Sequence, residues 1–142
     1  MSNVLKSKIE SKAALVGVVG LGYVGLPLAV DLAKAGFNVT GFDVVEDRVA
    51  ALNRCESYVE DIPSEDLRAV KSKFKATTDF SSLAKMDCVS ICVPTPLSKT
   101  RDPDVSYILA VRDQLKKTIH PDMLVILEST TFPGFTREVL LP

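Results

Sequence analysis

Apolar positions along the chain switch repeatedly between a two-residue and a helical period. Leu15-Val16-Gly17-Val18-Val19-Gly20, a β-branched run bounded by glycine, reads as a buried strand. From Tyr23 to Ala35 the apolar residues recur at helical spacing, and Gly36 follows as a C′ residue would. Asn38 to Asp43 predicts a second short strand and Glu46 to Asn53 a second helix. A loop spanning Cys55 to Pro63 then leads to Ser64, placed to cap a helix running to about Lys73. Phe74 to Thr78 predicts a third strand, Ser81 to Lys85 a helical turn and Asp87 to Val93 a fourth strand. Pro94, Pro96 and Pro103 force an irregular stretch before a helix from Val105 to about Ile119 and a fifth strand from Met123 to Ser129. Ahead of the first strand, Asn3 to Lys12 sets Val4, Leu5 and Ile9 at helical spacing, a short amphipathic lead-in. This alternation predicts an α/β fold, a doubly wound parallel sheet with right-handed crossovers and helices on both faces.

Composition narrows the class. With 46% hydrophobic and 25% charged residues among 142, the chain has the make-up of one ordinary globular domain. A chain of this size buries roughly 68 to 70% of its unfolded surface and needs no disulfide or metal staple. It is short for an enzyme that must carry a cofactor domain and a substrate domain of ~100 to 150 residues each, so residues 1 to 142 are read as one domain. The balance of 17 basic against 18 acidic residues offers no basic face, which argues against nucleic acid or an acidic membrane as the main partner. No apolar run approaches the ~20 residues of a membrane span, and the opening MSNVLKSKIESKAA lacks a signal-like apolar core. A cytoplasmic location is expected. Cys55, Cys88 and Cys92 lack paired CxxC spacing and read as free thiols, Cys88 and Cys92 on one face of a strand; His120 is distant, and no metal site is expected.

Gly20-Leu21-Gly22-Tyr23-Val24-Gly25 fits GxGxxG and stands where a dinucleotide fingerprint must, between a predicted strand and a predicted helix. Gly20 permits the tight turn, Gly22 lets the backbone approach a pyrophosphate, and Gly25 lets helix and strand pack closely. The pyrophosphate would meet free amides at the positive end of the helix dipole. Asp43 ends the second strand 23 positions after Gly20, near the ~20-residue offset of a ribose-binding acid. A carboxylate there accepts ribose hydroxyls and repels a 2′-phosphate, which favours NAD over NADP. Arg48, five positions on, is read as touching the ribose or pyrophosphate, or as pairing with Asp43. These features specify a Rossmann-like form of the doubly wound fold.

Ligands of such sheets bind beyond the carboxyl ends of the strands. Val93-Pro94-Thr95-Pro96 follows the fourth strand and Glu128-Ser129-Thr130-Thr131 ends the fifth, so both should face the nicotinamide half of the cofactor. Thr95 and Thr130 offer hydroxyls for a carboxamide, a ribose or a water, or else serve as turn formers. Glu128 is either a buried acid with a raised pKa or an ordinary strand-end charge.

The string GLGYVGLPLA, the segment Glu56 to Pro63 (ESYVEDIP), the VPTPL turn with Asp102-Pro103-Asp104 after it, and LESTTFPG together resemble the N-terminal NAD-binding domain of the UDP-glucose/GDP-mannose dehydrogenase family. Within the family, the likeness is to bacterial members that oxidise UDP-N-acetylglucosamine for O-antigen and capsule synthesis. Members acting on UDP-glucose usually carry Lys where this chain has Glu128. The resemblance implies oxidation of the sugar C6 hydroxyl to a carboxylate with two NAD, through a cysteine-linked thiohemiacetal and thioester, in a homo-oligomeric full-length enzyme. It places Gly20, Gly22, Tyr23, Val24 and Gly25 on the pyrophosphate, Asp43 and Arg48 on the adenosine ribose, and Thr95, with Pro94 before it, near the nicotinamide ribose. Thr130 matches the threonine that contacts the cofactor and helps orient a catalytic water. The family's catalytic cysteine and sugar-binding residues lie beyond Pro142, and Cys55, Cys88 and Cys92 do not match it. The expectation is therefore a cofactor half without its substrate half, whose tail from Gly134 to Pro142 begins a further element. The other readings are a stand-alone NAD-sensing module, a UDP-glucose dehydrogenase and a hydroxyacid dehydrogenase domain.

Overall fold

The computed structural model describes the whole chain, Met1 to Pro142. Five strands, β1 (Leu15–Val19), β2 (Asn38–Phe42), β3 (Phe74–Thr77), β4 (Cys88–Ile91) and β5 (Leu124–Leu127), pair in parallel in the order β3-β2-β1-β4-β5. The chain winds outward from β1 in one direction as far as β3, then returns to lay β4 and β5 on the other side. The carboxyl ends of β1 and β4 thus lie where the winding reverses, the place where this class of sheet binds ligands.

Two-residue alternation sorts the strand side chains into two cores. On one face Val16, Val18, Val39 and Cys88 pack with Leu26, Ala29, Val30 and Ala33 of the helix α2 (Gly25–Lys34) that joins β1 to β2. On the other, Val19, Phe42, Val89 and Ile91 pack with Leu83 and Met86 and with Val111 and Leu115 of the β4–β5 helix. β1 is hydrogen-bonded on both edges and covered on both faces, which is why its sequence is nearly all apolar. β5 pairs only with β4, and as an edge strand it leaves Ile126 exposed.

The lead-in forms a helix, α1 (Asn3–Glu10), capped by the Ser2 hydroxyl, which accepts the Leu5 N–H at 3.1 Å. Asp87 ties it down, receiving Lys8 Nζ at 2.6 Å and the Leu15 N–H at 2.8 Å. The β2–β3 connection holds α3 (Glu46–Asn53) and α4 (Ser64–Ala69), and α5 (Ser106–Thr118) joins β4 to β5. A 3₁₀ turn covers Phe80–Lys85, and the tail from Thr136 to Leu140 forms a π-type turn.

Strands β4 and β5 and helices α1 and α5 come out shorter than predicted, and the larger shifts fall on α2 and α4. Helix α2 starts at Gly25 rather than Tyr23, so Pro27 sits in a first turn whose amides have no partner within the helix. Helix α4 ends at Ala69, four residues before Lys73, because Val70 turns into the core and caps the Lys73 and Phe74 amides that lead into β3. Ser64 is not its N-cap: that position is Pro63, and the Ser64 hydroxyl instead accepts the Ser57 N–H at 3.0 Å. No helix is long and apolar enough to cross a membrane.

Candidate cofactor site

The carboxyl ends of β1, β2, β4 and β5 open onto one cleft of about 720 Å³. The glycine loop forms one wall. Gly20 has φ +90°, and a Cβ there would stand 2.9 Å from the Cys92 carbonyl and the Val93 nitrogen, so the left-handed turn and the tight approach of β1 to β4 both demand glycine. Gly25 lies under the loop, pressed on the Gly20 carbonyl, and does not face the cleft. A Cβ on Gly22 would meet no protein atom within 4 Å; the space it leaves belongs to the cleft.

The loop amides match that void. Gly22, Tyr23 and Val24, which line the cleft, donate to no acceptor in the protein, and Val24 caps α2 without a side-chain hydrogen bond. Tyr23 and Val24 are 80% and 60% exposed, so these amides are held at the surface by loop geometry rather than by packing of their side chains. A helix N-terminus with unspent donors and a missing Cβ fits an anionic diphosphate.

Asp43 follows β2 and is buried. Its Oδ2 accepts the Leu21 N–H and its Oδ1 the Val45 N–H, both at 3.0 Å, so the carboxylate braces the glycine loop as well as ending the strand. Each oxygen keeps a further lone pair for a ribose hydroxyl. Of the roles open to Arg48, the structure displays the pairing: Nη1 stands 3.8 Å from Asp43 Oδ2. Its guanidinium also lies 5.4 Å over the Tyr58 ring.

The opposite wall comes from the ends of β4 and β5. Pro94, Thr95, Glu128, Ser129 and Thr130 all line the cleft, and the hydroxyls of Thr95 and Thr130 are engaged by no protein group. Glu128 is exposed, which removes the buried-acid reading and leaves a strand-end charge. Sequence reasoning placed the segment holding Ser129 at the cleft but gave that residue no role; its Oγ donates to the Val93 carbonyl at 2.7 Å and fastens the two strand ends together. It also missed Val44 and Val45, directly after Asp43, and the α5 face of Tyr107, Ala110, Val111 and Gln114. The signal was present in that i, i+3, i+4, i+7 spacing, but only the fold aims it at the cleft.

Cys55, Cys88 and Cys92 are buried and unpaired. Burial pushes the thiols of Cys88 and Cys92 up, so they stay protonated and unreactive. No cluster of three or more His, Cys, Asp or Glu side chains is arranged to hold a metal ion.

Residues 14 to 142 match the model of the UDP-glucose/GDP-mannose dehydrogenase family, NAD binding domain. The chain belongs to this family. Its NAD-binding domain is 36% identical to protein CapL of Staphylococcus aureus and 35% identical to the UDP-N-acetyl-D-glucosamine 6-dehydrogenase of Pseudomonas aeruginosa, each alignment covering 89% of this chain. The chain spans only 29% and 30% of the length of those two proteins. In three dimensions it is similar to a GDP-mannose dehydrogenase from Pseudomonas aeruginosa, with a TM-score of 0.83 at 31% identity over 89% of this chain and 31% of that one. The UDP-D-ManNAc dehydrogenase of Pyrococcus horikoshii gives 0.81 at 35% identity over 86% of this chain and 30% of that one.

Proposed function

We propose that residues 1 to 142 are the cofactor domain of a nucleotide-sugar 6-dehydrogenase that oxidises the C6 hydroxyl of a UDP-N-acetylhexosamine, UDP-N-acetylglucosamine first among them, to the uronic acid with two NAD. The observation that carries this reading is the pairing, across one cleft, of unspent loop amides with the free hydroxyls of Thr95 and Thr130. In this reading Gly20 and Gly25 shape the loop and Gly22, Tyr23 and Val24 offer their amides to the pyrophosphate. Asp43 accepts the adenosine ribose hydroxyls while Arg48 stands beside it, and Pro94 and Thr95 border the nicotinamide ribose. When bound, NAD would supply the hydride acceptor, with the residues at the ends of β4 and β5 placed to hold it. Thr130 contacts the cofactor there and holds a water for the second oxidation. The N-acetylated substrate is supported by the likeness to the UDP-N-acetyl-D-glucosamine 6-dehydrogenase of Pseudomonas aeruginosa and by Glu128-Ser129-Thr130 at the cleft.

The nucleophilic cysteine and the sugar-binding residues belong, in this proposal, to a part of the enzyme outside these residues, and the enzyme works in the cytoplasm as a homo-oligomer making surface polysaccharide precursors, without nucleic acid or membrane as partner. Binding is tested on the chain alone. NAD at 100 times its Kd should stabilise it by about 2.7 kcal/mol, with NADP much weaker; an unchanged melting temperature at millimolar NAD refutes the assignment. Substrate is tested in a longer protein carrying this domain, by comparing NADH production from UDP-N-acetylglucosamine, UDP-N-acetylmannosamine and UDP-glucose.

A further inference from the structure

The segment Glu56 to Pro63 stands out in the sequence, yet it supplies nothing to the cleft wall described above. Its Tyr58 reaches 37 positions back along the chain, where Oη donates to the Leu21 carbonyl at 2.6 Å. In a helix begun at Leu21 that carbonyl would accept from the Gly25 amide; here it accepts from the phenol alone. The peptide that follows is planar and trans, so the Leu21 carbonyl and the Gly22 N–H belong to one rigid unit and point in opposite directions. Drawing the carbonyl toward Tyr58 turns the Gly22 N–H away from it, and that amide has no acceptor in the protein.

The neighbouring peptide is fixed from the other side, since the Leu21 N–H is held by Asp43 Oδ2 at 3.0 Å. Arg48 closes the ring, 3.8 Å from Asp43 and over the Tyr58 face. Tyr58 and Asp43 therefore hold the two peptides of Leu21, and Arg48 bridges between them. Burial first, and then the charge of Asp43, push the Tyr58 hydroxyl up to about 12 against the opposing pull of Arg48, so it remains a protonated donor around neutral pH.

We propose that Tyr58 is a positioning residue for the cofactor, setting the Leu21–Gly22 peptide so that the Gly22 amide is presented to the diphosphate before it arrives. The proposal rests on the dinucleotide reading of the cleft and deepens it. It predicts a loss confined to ligands that carry a diphosphate. In Tyr58→Phe the ring remains under Arg48 and only the hydroxyl is gone, so affinity for NAD and for ADP-ribose should fall about tenfold, the worth of one hydrogen bond. Affinity for adenosine, which has no phosphate, should be unchanged.

Calorimetry with NAD and ADP-ribose, and NMR titration with adenosine, read this split on the wild-type chain and on Tyr58→Phe. Equal NAD affinity in the two proteins overturns the proposal, and so does an equal loss for adenosine and NAD, which marks general loosening. Wild-type protein that binds no NAD defeats the cofactor reading itself, a separate result. Should Tyr58→Phe fail to fold, Tyr58→Met, which fills the space without a donor, is the second variant. The same tenfold, diphosphate-selective loss is expected there, and NAD affinity equal to that of the wild type overturns the proposal.

Discussion

At the residue scale, the three fingerprint glycines are under three different constraints, and substitution separates them. Ala at Gly25 drives a methyl into the Gly20 carbonyl and should cost about 1–3 kcal/mol or more, seen as a lower melting temperature. Gly22 has room for a methyl and does not adopt a positive φ, so Gly22→Ala should leave the free protein as stable or raise its stability by about 0.4–1 kcal/mol, while NAD affinity falls because the methyl enters the ligand's space. Thermal denaturation with and without NAD reads both effects at once. Asp43→Ala strips the acceptor from the buried Leu21 amide and the part-buried Val45 amide, and leaving the first unpaired should cost about 1–3 kcal/mol. The same variant removes the charge that repels a 2′-phosphate, so the preference for NAD over NADP should narrow in a competition titration.

At the scale of elements, helix α1 is fastened to the sheet by one carboxylate. Burial alone would raise Asp87, but the Lys8 ammonium and the Leu15 amide outweigh it and hold the carboxyl below the usual aspartate range. The sign follows: this contribution is present above the unfolded pKa of ~3.9 and is lost as pH falls through the lower folded value. His120 runs the other way. Its two ring nitrogens face the Pro121 and Met86 carbonyls, which raises its pKa, so its contribution is full below ~6.5 and fades as pH rises through the folded value. Asp87→Asn should therefore flatten the acid limb of a melting temperature against pH curve and, because the Asp87 charge also helps to raise His120, shrink the neutral limb by a smaller amount. The elements themselves were largely legible, because each strand of a parallel sheet is a short apolar run and each crossover helix has its own period. What failed was local. Ser64 had the chemistry of a cap but its hydroxyl accepts from Ser57 instead, and α2 begins late because the loop over residues 22 to 24 leaves their amides without partners in the protein. The Tyr58 to Leu21 bond joins residues 37 apart, a contact that no period or spacing announces.

For the molecule as a whole, the cleft and the second core share a boundary at Phe42, which is fully buried yet lines the cavity beside Asp43. Phe42→Ala should cost about 3–5 kcal/mol and weaken NAD binding as the end of β2 relaxes; denaturant unfolding and a titration on the surviving folded fraction check the two halves of that statement. The cleft has a further property in the kind of charge it brings to its ligand. Among its lining side chains Arg48 is the one cation, and it stands close to Asp43, while Asp43 and Glu128 are both acids. A diphosphate seated here would be met by neutral backbone dipoles rather than by lysines, so few condensed counterions would be displaced. Raising the ionic strength should then change NAD affinity little, whereas a site built from mobile surface cations would lose its ligand steadily as salt is added.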